Sequence, residues 1–366
     1  MFSPKSASMP KQSVSGKPSR KLRTVLLAAA LVVAGSATAA TTHLIETGSS
    51  LLYPLFNLWV PAWTANHPEV RIDTASTGSG TGIAQSIEGI AQFGASDAYL
   101  SDVQMKRNPG MLNIPVAISS QMINYNVPGL NDKHIKLDGP VIAGMYDGSI
   151  RYWDDARVKA LNPGLALPHK TVVAVHRADG SGDTFMFTQF LSFSTPAWNQ
   201  KVAYGTTVSW PSVPGAIGAT GNPGMVTALA NTPYSIAYVG VSFKNETDKA
   251  KLGEAMLKNR AGKFVLINAR TVPAAAAAMV PKTPKDQRIS MVYAPGEESY
   301  PIINYEYVIV KSVQPNAEAA KQMRDFLTWA VSPDGGNAPK FLDQVHFLPL
   351  PASARALTLA QIKEIH

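Results

Sequence analysis

Three short stretches of this chain place serine beside glycine where a helix is expected to begin: "ETGSSLLY" (46–53), "STGSGTGIAQ" (76–85) and "DGSGDTFMF" (179–187). The first N–H groups of a helix have no intrahelical acceptor and lie at the positive end of its dipole, so such turns favour an anion. Glycine lets the backbone approach a ligand closely, and a serine hydroxyl can donate to it. Each stretch taken singly reads first as ordinary capping by Ser or Thr. Three in one chain point to a shared anion site at the carboxyl ends of strands. Arg177 stands four residues before Ser181 and offers the forked, charge-assisted donors that suit a tetrahedral oxyanion. It is equally placed to pair with Asp179.

Two aspartates make the anion more specific. Asp183 lies inside the third loop, and Asp97, in "FGASDAYLS", ends an expected strand. Asp97 also reads as a helix N-cap. An ionised carboxylate only accepts hydrogen bonds. A fully deprotonated anion such as sulfate would meet it with no proton to give, whereas a protonated phosphate can donate. Leaving polar groups unpaired is how a buried site rejects a close analogue. Asp in a Ser/Gly cradle is therefore expected to act as a phosphate-over-sulfate filter.

Other chemistries lack their residues. No lysine follows the Gly-rich turns, so the P-loop pattern is missing. Thr77 and Asp179 occupy the places where a nucleophile elbow around Ser79 or Ser181 needs its first glycine. His176 sits in a strand-like run and reads as packed. The seven histidines are scattered without metal-binding spacing, and the absence of cysteine excludes thiolate zinc sites. No cofactor is expected.

The elements that must position these loops alternate between strand and helix, the pattern of an α/β protein. "THLIETG", "VRIDTAS" and "FGASDA" read as strands. "SLLYPLFNLWVPAWTANHP" reads as a helix with Leu52, Phe56 and Trp59 on one face and Pro61 expected to kink or shorten it. "GTGIAQSIEGIAQ" reads as a helix with Ile83, Ile87 and Ile90 on one face, and "AEAAKQMRDFLTWAV" as an amphipathic helix. "AISSQMINYNVPG" and "YPIINYEYVIVK" are β-rich and are expected to cross between two domains. Trp59, Trp153, Trp198 and Trp210 read as packing residues, and the lysines of 244–263 as a solvated face.

Composition bounds the setting. Residues 1–39 carry six Lys or Arg and no acid, then an apolar run Val25–Ala34, then "GSATAA", the order of a cleavable secretory signal with Met1 or Met9 as start. The apolar run is shorter than the about 20 residues a spanning helix needs. Removing those six charges takes the formal +8 to +2, which withdraws the case for a nucleic-acid partner. Without cysteine the exported chain can be neither disulfide-stapled nor anchored through an acylated cysteine. The remaining 327 of 366 residues suffice for two cored domains.

The stretches "ETGSSLLYPLFNLW", "TGSGTGIAQ", "FGASDAYLSD", "MYDGSIRYWDDARVKALNPG", "HRADGSGDTFMFTQFLS", "YPIINYEYVIV" and "FLDQVHFLPLP" span nearly the whole of residues 40–366. Together they resemble the periplasmic phosphate-binding proteins of phosphate-specific ABC transporters. The resemblance implies a two-domain, type II periplasmic-binding-protein fold, with domain I from 40–117 and 302–366, domain II from 118–301, and the ligand in the cleft between them. It implies a non-enzymatic monomer in the periplasm that binds inorganic phosphate and delivers it to an inner-membrane ABC permease with its ATPase. The implied ligand residues are Ser49, Ser50 and Leu51, the last partly through backbone N–H, then Ser79, Asp97 as proton acceptor, and Arg177, Ser181, Gly182 and Asp183. Some relatives of that kind carry Thr at the position of Asp183 and near Leu52, so a second acceptor at Asp183 is a departure. The alternatives that the residues leave open are an exported phosphatase and a binding protein for another tetrahedral oxyanion.

Overall fold

The structure, a computed structural model, describes residues 41–366. The expected signal segment lies outside the described residues. Among the described residues twelve strands are present: β1 (Thr42–Gly48), β2 (Val70–Ser76), β3 (Phe93–Ser96), β4 (Met111–Asn126), β5 (Lys136–Leu137), β6 (Val173–Arg177), β7 (Ile217–Ala219), β8 (Ser235–Gly240), β9 (Gly253–Glu254), β10 (Met256–Lys258), β11 (Phe264–Val265) and β12 (Ile303–Lys311). Nine of them form one mixed sheet in the order β2-β1-β3-β12-β4-β8-β6-β7, with β9 alongside β4.

Strand β4 joins the two halves of this sheet. Its residues up to Ser120 pair antiparallel with β12, and from Gln121 onward they pair antiparallel with β8. On either side the strands are parallel, β2-β1-β3 in one half and β8-β6-β7 in the other. Parallel strands need helical crossovers and burial on both faces, and β8, which runs parallel to β6, is buried throughout. Sequence reading places only the second half of β4. Pro115 obscures the first half, because it has no N–H for a ladder. The ladder absorbs it where the β12 register shifts between Glu306 and Tyr307.

The helices are α1 (Tyr53–Thr64), α2 (Ser79–Glu88), α3 (Asp102–Arg107), α4 (Gly139–Asp147), α5 (Ala156–Leu161), α6 (Gly182–Ser194), α7 (Pro196–Lys201), α8 (Gly221–Asn231), α9 (Lys244–Lys249), α10 (Thr271–Met279), α11 (Ala317–Ala330), α12 (Pro339–Leu342) and α13 (Ala352–Ile362). Helix α1 runs through Pro61. Helix α2 stops at Gly89 in the left-handed region, so Ile90 falls outside it and is exposed, against the expectation of a third apolar face residue.

Two aromatic clusters fill the halves. Phe56, Trp59, Phe93 and Phe326 pack under β1–β3, with Phe56 and Trp59 edge to face at 5.6 Å. Tyr146, Phe187, Trp210 and Tyr238 pack under β6–β8, where Phe187 and Tyr238 stack at 4.3 Å. Such contacts contribute about 0.5–1.5 kcal/mol per pair beyond area burial. Rigid walls of this kind fix the loops at the strand ends.

Candidate functional site

The three Ser/Gly loops converge at the carboxyl ends of β1, β2 and β6. Loop 49–52 leaves β1, α2 begins at Ser79 after β2, and α6 begins at Gly182 after β6. Asp97 follows β3 directly and stands between them. The cap of α3 is Ser101, with a reciprocal bond pattern to Gln104, so Asp97 is not an N-cap.

Asp97 is held from several sides. Ser49 Oγ donates to its Oδ1, and Ser79 Oγ lies 3.5 Å from its Oδ2 while accepting from the Asp97 amide at 3.3 Å. Asn304 Nδ2 donates to the Asp97 carbonyl at 3.0 Å. The first residue of α6 packs directly on the carboxylate: a Cβ built on Gly182 would lie 2.4 Å from Asp97 Oδ2. Only glycine admits this approach. Gly78, at φ 90°, similarly lets the start of α2 close against Asp179 and Gly180, and Gly80 N donates to Gly180 O at 2.9 Å.

A second network surrounds Arg177. Its Nε donates to Asp179 Oδ1 at 2.7 Å, its Nη2 to Asp179 Oδ2, and its Nη1 to Asp183 Oδ2 at 2.8 Å. Asp183 also accepts from Asn222 Nδ2 at 2.7 Å and from Gln121 Nε2 at 3.1 Å. Asn222 reaches across to the first loop, donating to Ser50 Oγ from both its amide and its Nδ2 at 3.1 Å. Ser181 caps α6 by accepting from Thr184 N at 3.2 Å.

Seven of the nine expected ligand residues thus fall in two adjoining groups, with Ser49, Ser79, Asp97 and Gly182 in one and Ser50, Arg177 and Asp183 in the other. Ser181 and Leu51 close the turns between them. The Leu51 amide donates to Ser49 Oγ at 3.1 Å and its carbonyl accepts from Ser242 Oγ at 2.7 Å, so its backbone serves the turn. Of the two readings of Arg177, the ion pair with Asp179 is present, extended to Asp183. His176 stacks on Trp210 at 4.8 Å, a packing role.

Sequence reading misses Ser119, Gln121, Asn222, Asn304 and Glu306. Ser119 Oγ donates to Glu306 Oε1, and Glu306 is fully buried. The available signal is polarity in otherwise apolar strands: Ser119 and Gln121 alternate in β4, and Asn304 and Glu306 alternate in β12. Asn222 hides in a Gly/Pro-rich stretch that reads as loop.

The electrostatics are dominated by acids. Burial presses the Arg177 pKa down, but the hydrogen bonds and charges of Asp179 and Asp183 outweigh it, and the guanidinium stays charged. Burial raises Asp183 above its usual range against the opposing pull of Arg177, Gln121 and Asn222. Burial, then the neighbouring Asp183, raises Asp97 from 3.8 to about 7. One guanidinium faces Asp179 and Asp183, so the site holds acceptors in excess of cations. A ligand that brings protons fits this arrangement better than one that brings only charge.

A family model described as the PBP superfamily domain matches residues 32–334. The phosphate-binding protein PstS of Methanocaldococcus jannaschii is 34% identical over 324 residues, covering 82% of this chain and 81% of that protein. That of Xylella fastidiosa strain 9a5c is 33% identical over 304 residues, covering 83% and 80%. Among solved structures, a high affinity periplasmic phosphate-binding protein (PfluDING) bound with phosphate superimposes with a TM-score of 0.70 at 22% identity, covering 87% of this chain and 93% of that one. A phosphate-binding protein from Stenotrophomonas maltophilia gives 0.65 at 21% identity, with the same coverage. These superpositions show a two-domain, type II binding-protein fold. With β4 bridging the two half-sheets and the Ser/Gly loops meeting at their strand ends, the chain belongs to the PBP superfamily and, within it, to the phosphate-binding protein PstS family.

Proposed function

We propose that this protein captures inorganic phosphate between its two domains and delivers it to an ABC permease for import. The observation that carries the reading is the position of Asp97, whose ionised carboxylate can only accept, set against the N-termini of α2 and α6. The first-turn N–H groups of both helices have no intrahelical acceptor and favour the anion. Ser49, Ser50 and Ser79 line the cradle with hydroxyls, Arg177 is the charge, and Ser181, Gly182 and Asp183 are the edge of the second lobe. Leu51 holds the first loop in register. Asp97 accepts a hydrogen bond from the ligand's proton, and sulfate, which has none, is refused.

The lobes are 40–117 with 302–366, and 118–301, divided near the point where β4 exchanges β12 for β8. Both lobes contribute to the site, so phosphate favours the closed state through contacts that exist only there. The chain acts as a monomer exported to the periplasm, where it meets the membrane permease and its ATPase, and it performs no catalysis.

Titration of phosphate-stripped protein with phosphate, followed by tryptophan fluorescence, is expected to give saturable one-to-one binding. A parallel assay with p-nitrophenyl phosphate is expected to give no turnover. Turnover dependent on Arg177 would replace this reading with that of a phosphatase.

A further inference from the structure

Glu306 is buried in β12 and no loop motif accounts for it. The antiparallel register pairs Tyr307 with Ser96, so Glu306 comes level with Asp97, one step beyond the paired residues. Strand alternation places Glu306 on the same face as Asn304, which holds the Asp97 carbonyl at 3.0 Å. Tyr305 and Tyr307 take the other face, their hydroxyls at Thr283 and at the Gln287 carbonyl. Ser119 Oγ satisfies Glu306 Oε1, but Oε2 is buried and no donor of the described residues reaches it. The β12–β3 register and the shared face make the Asp97 carboxyl its neighbour. Two carboxylates are acceptors only, and two acceptors in contact are satisfied only with a proton between them.

The proton belongs on Glu306. Asp97 accepts from Ser49 and feels the charge of Arg177, both of which favour its ionised form against its burial and the charge of Asp183. Glu306 has only the Ser119 hydroxyl, while Asp97 and, from α6, Asp183 oppose its ionisation. Burial pushes Glu306 well above the carboxylate range, and its hydrogen bond in turn lowers Asp97.

We propose that Glu306 is a specificity-determining residue: it stands beside Asp97 as a neutral acid and donates its proton to the Asp97 carboxylate, so that Asp97 meets the ligand as an acceptor only. This rests on the phosphate-binding reading above. Without Glu306, Asp97 loses a donor to its anionic form and takes up a proton of its own. An Asp97 that carries a proton becomes a donor, and the barrier to sulfate falls.

The test compares wild type, Glu306→Ala and Glu306→Gln by calorimetric titration with phosphate and with sulfate near neutral pH. Glu306→Ala is expected to lose at least about tenfold in the phosphate-to-sulfate affinity ratio, since each unit of upward shift at Asp97 costs tenfold in its ratio of ionised to neutral form. Glu306→Gln, whose amide can accept from Ser119 and donate to Asp97, is expected to restore the ratio to within about threefold of wild type. Infrared spectroscopy of intact wild-type protein reads the acid directly and does not require the alanine variant to fold. A protonated-carboxyl band at neutral pH that disappears in Glu306→Gln is expected.

A missing band overturns the proposal. So does a glutamine variant as unselective as the alanine one, or one that binds phosphate at least tenfold tighter than wild type, the result expected if an ionised Glu306 repels the ligand. A wild-type protein that binds no phosphate overturns the functional reading itself. A wild type that binds phosphate but fails any of the three comparisons overturns only the role of Glu306.

Discussion

Gly182→Ala sets two well-known effects against each other at one atom. Alanine is a better helix former than glycine by about 1 kcal/mol, and Gly182 is the first residue of α6, so propensity alone predicts a more stable protein. The structure predicts the opposite for ligand binding. The new Cβ would stand 2.4 Å from Asp97 Oδ2, 2.6 Å from its Cβ and 2.7 Å from its Cγ. Relief requires a separation of roughly 1 Å between α6 and Asp97. Asp97 cannot yield easily, because Ser49 holds its carboxylate, Ser79 its amide and Asn304 its carbonyl. The helix must therefore retreat from the ligand's acceptor. Overpacking of this kind costs about 1–3 kcal/mol, which converts to about a 5- to 150-fold weaker phosphate affinity. Titration calorimetry measures that loss, and thermal unfolding of the phosphate-free protein separates it from any general destabilisation. Wild-type or tighter phosphate affinity in a variant that melts higher would show that α6 does not meet Asp97, and the geometry of the site would be wrong.

Other perturbations follow from the same contacts. Arg177→Lys removes the fork that serves Asp179 and Asp183 and leaves two buried acids poorly paired; a destabilisation of about 3–5 kcal/mol is expected by chemical denaturation. Asn222→Ala breaks the link between Ser50 and Asp183 and strands the Gly240 amide, which donates to Asn222 Oδ1 at 2.8 Å. It is expected to cost about 1–3 kcal/mol of stability and to weaken phosphate binding by about tenfold. The pH dependence of the ligand-free protein carries a sign. Asp97 rises from 3.8 to about 7 on folding, so the native state binds more protons than the unfolded chain in that interval. Stability is therefore expected to fall as pH rises from about 4 to about 7, and Asp97→Asn is expected to flatten that slope in thermal melts. A slope of opposite sign in the wild type would refute the raised Asp97.

The residues legible in the sequence are those of the Ser/Gly turns and the charged residues beside them. Ser/Gly turns between strand and helix announce themselves through local chemistry, and β1, β2 and α11 match their sequence readings closely for the same reason. Residues that act through side chains from strand interiors were hidden. Gln121 and Glu306 are polar positions in apolar runs, and nothing local says which loop they face, because that depends on the β12–β3 and β4–β8 registers. Asp183 was legible as an acid in an anion loop. Its engagement by Arg177, Asn222 and Gln121, three residues from three elements, required the fold. Pro115 and Gly89 misled by opposite routes: a strand continued through one, and a helix ended at the other.

The central claim is that Asp97 selects phosphate by accepting a hydrogen bond from its proton. Paired calorimetric titrations of phosphate and sulfate into stripped wild type and Asp97→Asn, near neutral pH, test it most directly. Wild type is expected to bind phosphate and leave sulfate silent, and Asp97→Asn, whose amide can donate to sulfate, is expected to lose most of that discrimination. Discrimination that survives intact in Asp97→Asn would contradict the account.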